Sequence, residues 1–175
     1  MKKLFAIALT MLTLSLVANA PSAAAADSTS PTKVARPASA KKFDALATRA
    51  LEAMKQRAAE LKVTGVAVVS YAPGETIQSW SSRMEVVGKM KDPVTATSKG
   101  SNLLGIAYAK ASEMADTLQN SGTASRPPMT GEFGWQGGVV AKVRSGYVIV
   151  AFSGGKSEDD VQVSTAGLTV LKAAL

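Results

Sequence analysis

The chain has 175 residues, with 20 Lys and Arg against 13 Asp and Glu, and neither histidine nor cysteine. Those two absences remove disulfides, thiol nucleophiles, any Ser-His-Asp arrangement and the commonest zinc and copper ligands, so most hydrolytic and redox chemistries lack their side chains. The basic excess sits near the start: from Phe43 onward 14 basic residues face 12 acidic ones, which leaves no basic footprint for nucleic acid.

Residues 1–26 carry the three parts of a secretory signal. Lys2 and Lys3 are followed by an uncharged apolar run over 4–18 and then by small residues up to Ala26. The run is shorter than the roughly 20 residues a membrane span needs. Ala24 and Ala26 fit the small-x-small rule, so cleavage is expected before Asp27; a cut after Ala20 would leave Pro21 beside the scissile bond. The mature chain is expected in the periplasm or secreted, with no membrane span. Residues 27–40 are rich in Ser, Thr, Pro and Ala and read as a disordered linker, with the folded domain over 41–175.

Phe43, Leu46, Ala47, Ala50, Leu51, Met54, Ala58 and Leu61 recur at helical spacing and predict an amphipathic helix over 41–62. TGVAVVSYA, residues 64–72, predicts a strand apolar on both faces. Ala72-Pro73-Gly74-Glu75 suits a type II turn, and the polar stretch 75–83 a strand nearer an edge. Residues 84–100 suit a short helical turn and a loop. A second helix runs from Ser101 to about Asn120 on Leu103, Leu104, Ala107, Ala111, Met114, Ala115 and Leu118. A long loop follows over 121–137, a length often tied to function. Residues 138–155 form a hairpin about Ser145-Gly146. The last helix opens with Ser157 as a cap and Asp160 in the capping-box position, and buries Val161, Leu168, Leu171 and Leu175. The order is that of an α+β fold, an antiparallel sheet with packed helices. Strands apolar on both faces need cover on both, by helices or by another subunit, and point to a homo-oligomer.

Several stretches, in this order, resemble the GlcG/HbpS-like family: VAVV at 66–69, SSRMEVVGK at 81–89, IAYAKASEMADT at 106–117, and GGVVAKVRSGYVIVAFSGGKSEDDVQVSTAGL at 137–168. The resemblance implies a profilin-like fold with an antiparallel sheet of about five strands. It also implies a non-enzymatic ligand-binding role, with haem or a related tetrapyrrole as the ligand. The alternative is an accessory protein of the same fold that binds no haem and recognises a partner protein or a small carboxylate.

Haem needs an apolar slot and usually an axial ligand from His, Met, Cys or Tyr. Without His and Cys, the tyrosines Tyr71, Tyr108 and Tyr147 and the methionines Met84, Met90, Met114 and Met129 remain. Tyr71 and Tyr147 lie on strands and Met114 faces the expected core. The candidate cofactor-binding residues are therefore Met84, Met129 and Tyr108, with Arg83 and Arg126 for the propionates. Gly154 and Gly155 fit a tight turn or a close approach to a ligand or subunit. The acids at 158–160 occupy the positive end of the last helix, which disfavours phosphate there. Glu85 and Glu132 are the general-base candidates, and neither has a partner in the sequence to activate it.

Overall fold

A computed structural model describes residues 38–123 and 126–175; the expected signal and all but the end of the linker lie outside them. Three helices and six strands follow in chain order: α1 (Ala38–Leu61), β1 (Gly65–Pro73), β2 (Ser81–Val87), β3 (Lys91–Asp92), β4 (Ser101–Asn102), α2 (Leu103–Thr117), β5 (Gly138–Val143), β6 (Gly146–Ser153) and α3 (Ser157–Lys172). α1 takes in 38–40, which composition assigned to the linker. The main sheet is antiparallel, in the order β2-β1-β6-β5, and β3 and β4 form a separate two-residue pair. The fold is α+β as expected, with four strands in the main sheet in place of about five.

The central strands β1 and β6 are buried along nearly their whole length. On one face Ala67, Val69 and Tyr71 join Val148, Val150 and Phe152 under α1 and α3, with Phe43, Met54 and Leu171 fully buried between. On the other face Val66, Val68, Ile149 and Ala151 lie under α2. The second face of the central strands is thus covered by the chain's own α2, and the argument from it for a partner subunit falls away.

The second strand begins at Ser81, six residues later than its polar composition suggested. Only Ile77 and Trp80 in the stretch between have bulk to bury, and both pack against the α2 face beside Met114 and Ile149. Gly74 keeps the positive φ expected of it (93°) and donates its N–H to Ser145 O in the β5–β6 turn; with Tyr71 pairing to Ser81, β1 and β2 are joined by a longer loop and not a tight hairpin. Tyr71 Oη donates toward the same turn at Ser145 O (3.0 Å). α2 ends at Thr117, earlier than expected, on a left-handed Leu118 whose N–H is donated to Met114 O; Leu118 itself is exposed. Among the described residues, no helix is long and apolar enough to cross a membrane.

Candidate functional site

The five residues picked from sequence do not converge. Arg83 and Met84 are neighbours on β2 and so point to opposite faces of the sheet. Arg83 lies on the α1 side, half exposed, 3.9 Å from Asp44. Met84 lies on the α2 side, where it and Tyr108 pack against the small cluster of Val66, Val68, Leu103, Ile106 and Ala107. Tyr108 Oη is 3.2 Å from Ser82 Oγ. Of the other aromatic and sulfur candidates, Tyr71 and Met114 are core residues, Tyr147 is buried on β6, and Met90 is exposed.

Arg126 and Met129 sit in the long loop after α2, where Arg126 is occupied. Its guanidinium donates to both Glu132 oxygens (2.8 and 2.9 Å) and to Asp116 Oδ2 (2.6 Å). Glu132 also accepts from the Met129 N–H at 2.8 Å. Hydrogen bonds from Arg126 first, then from Met129, hold the Glu132 carboxyl down at about 2, and the two acids hold the Arg126 guanidinium above its usual range. Met129 is exposed. Glu85, the other general-base candidate, is paired with Lys55 at 2.9 Å.

The Glu132 pairing gives a signed pH dependence. A carboxyl whose folded pKa lies below its ordinary 4.5 stabilises the loop above that value, and the stabilisation is lost as pH falls toward about 2. Trp135 fluorescence should therefore change over that acid window while far-ultraviolet circular dichroism stays native. Glu132→Gln should produce the same fluorescence change at pH 7. An acid transition unchanged in Glu132→Gln would assign it to another group.

The most fully built polar site lies elsewhere, past the C-terminal end of β6. Lys110 on α2 and Asp160 on α3 come from opposite faces of the sheet and meet there, both 3% exposed. Lys110 Nζ donates to Asp160 Oδ2 (2.8 Å) and to Phe152 O (2.8 Å). Asp160 Oδ1 accepts from the Gly155 N–H at 2.8 Å. Burial is the largest influence on both: it lowers the Lys110 pKa and raises that of Asp160, against the attraction of each for the other.

Backbone closes tightly around the pair. Gly137, at φ 133°, runs so near that a Cβ on it would lie 2.2 Å from Lys110 Nζ and 2.8 Å from Asp160 Cβ. Its carbonyl accepts from Phe152 N–H (3.1 Å) and Ser164 Oγ (2.7 Å). Ser157 does not cap α3, contrary to its position in the sequence. The N-cap is Lys156, with no side-chain bond, and Asp160 serves the backbone just before the helix while also holding Lys110.

Above the pair opens a cleft of about 170 Å³. Leu103 and Ile106 of α2 form its apolar wall, Ser153, Gly154 and Gly155 its turn side, and Trp135 and Gln136 the border given by the long loop. Ser101 and Asp92 of the small β3–β4 pair complete it. Sequence reasoning passed over Lys110 because a charge inside an alanine-rich helix reads as the solvent face. The signal was its spacing: Lys110 follows Ile106 and Ala107 by four and three residues and precedes Met114 by four, which places it in the buried stripe. Glu113 follows the same logic; it is buried and accepts from the Gly122 N–H through one oxygen (2.8 Å). Among the described residues, no group of acids, His or Cys could hold a metal ion.

No family model and no curated protein matches the sequence. Among solved structures, the chain is similar to Klebsiella pneumoniae protein ORFY, described as family-model DUF336, with 16% identity and a TM-score of 0.52, over 75% of this chain and 90% of that one. The likeness is one of fold.

Proposed function

We propose that the chain is an exported, non-enzymatic binding protein of the GlcG/HbpS-like kind, and that its ligand is a small polar molecule seated over Lys110 and Asp160. Export rests on the pattern of residues 1–26. The family rests on the ordered sequence stretches, with support from the fold shared with a DUF336 protein, a family that includes GlcG-like members. The cleft carries the ligand. Buried ion pairs contribute little net stability, and a preformed concave site with a few fixed polar groups is the usual form of a binding site. Its 170 Å³ falls below the roughly 300–1,000 Å³ of pockets for drug-sized ligands, which argues for a molecule much smaller than a tetrapyrrole.

Haem is a second reading, and the placement of Met84 and Tyr108 against one apolar cluster is what favours it, since thioether and phenol are the iron ligands left to this chain. The two readings separate in one experiment: titrate the purified protein with hemin, following the Soret band, and with two- to six-carbon polar metabolites, following the melting temperature. The small-ligand reading expects a small metabolite at a hundred times its Kd to add about 2.7 kcal/mol of stability. A saturable Soret shift abolished by Met84→Leu or Tyr108→Phe, with no stabilisation by small metabolites, would overturn it in favour of haem.

A further inference from the structure

Resting on the cleft reading above, we infer that the ligand is a neutral polyhydroxylated molecule, a single sugar ring or a short polyol, and not an anion. The charges around the cleft are already matched. The ammonium of Lys110 is neutralised by Asp160 at 2.8 Å, and Asp92 at the rim is paired with Lys89 at 2.7 Å. A carboxylate or phosphate entering here would meet no uncompensated cation among the lining residues.

What the cleft does offer is donors and acceptors interleaved. The hydroxyls of Ser101, Ser153 and Ser157 and the amide of Gln136 can each donate and accept. Lys110 gives two of its three N–H bonds to Phe152 and Asp160, which leaves one for a ligand. An alcohol group, itself both donor and acceptor, suits such a lining at every carbon; a carboxylate only accepts.

Trp135 supplies the second half of the recognition. Its ring borders the cleft, is 51% exposed, and is stacked on Phe133 at 4.8 Å between centroids. An indole held half in solvent by a neighbouring ring gives a flat apolar platform with a polar N–H edge. The C–H face of a cyclic polyol packs on such a platform while its hydroxyls turn to the serines. The small volume limits the occupant to about one ring.

The test is isothermal titration of the purified protein with glycerol, myo-inositol and glucose, and separately with lactate and malonate, for the wild type, Trp135→Ala and Gln136→Ala. At least one neutral polyol should saturate, and Trp135→Ala should weaken it about tenfold or more while the melting temperature stays near wild type. Saturation by lactate or malonate with no polyol binding, lost in Gln136→Ala, would leave the cleft as the site but overturn the ligand class. Binding by either class that is unchanged in both variants, or no binding by any of the five probes, would overturn the inference and the cleft with it.

Discussion

Lys110→Met should cost about 3–5 kcal/mol of stability at pH 7, because it leaves the Asp160 carboxylate buried without its cation. Asp160→Asn should fall in the same range by stranding the ammonium. The double variant Lys110→Met/Asp160→Asn should be less destabilised than the sum of the singles by about 2 kcal/mol or more, since it buries no charge and the new amide oxygen can still accept from Gly155 N–H. Urea denaturation of the four proteins measures this. The expectation follows from a contrast within the molecule: Lys142 and Glu75 are as close, at 2.6 Å, but both exposed, and breaking that pair should change stability by less than about 1 kcal/mol. Singles that cost no more than Lys142→Met would mean that water reaches the Lys110 pair freely.

Gly154→Ala should be the second large effect, at about 3 kcal/mol or more. Gly154 sits at φ 152°, a region almost closed to other residues, and an added Cβ would stand 2.1 Å from Thr64 O and 2.6 Å from Gly65 Cα. Both obstacles are backbone, so no side chain can rotate aside; the start of β1 must move away from the end of β6. That displacement also pulls at the neighbouring Gly155 N–H that holds Asp160. Gly131→Ala is the control. It has a positive φ of 96° but nothing within 4 Å, so only the local strain of about 1–2 kcal/mol remains. Melting temperatures that fall equally for the two variants would contradict the close-approach argument.

The parts of the fold legible in the sequence are those where one periodicity holds without interruption. The stripe from Phe43 to Ala58 and the apolar runs at 66–72, interrupted only by Ser70, and 147–152 became α1, β1 and β6 because little in them competes with burial. Residues 75–80 misled because polar residues reveal neither period. The strand position there is set by the pairing of Ser81 to Val87 with Tyr71 to Gly65, a long-range contact invisible locally.

The site was harder to read for a related reason. Lys110 and Asp160 are 50 positions apart, and locally Asp160 reads as a capping acid while Lys110 has nothing beside it in sequence to mark it. Only the meeting of α2 and α3 past the end of β6 makes them one feature. The resemblance pointed toward methionine, tyrosine and arginine as haem contacts, but β-strand alternation sends Arg83 and Met84 to opposite faces, and local acids occupy Arg126. Gly154 and Gly155 were legible as a tight turn or close approach, although the causes, the start of β1 against Gly154 and the Asp160 carboxylate against Gly155, were not.

The most direct measurement is a backbone amide chemical-shift map of the protein titrated with the tightest small polar ligand found. The account predicts that the largest shifts fall on Gly154, Gly155, Gln136 and Ser101, around the cleft over Lys110 and Asp160. Shifts confined to Met84, Leu104 and Tyr108, with those four amides unmoved, would contradict it.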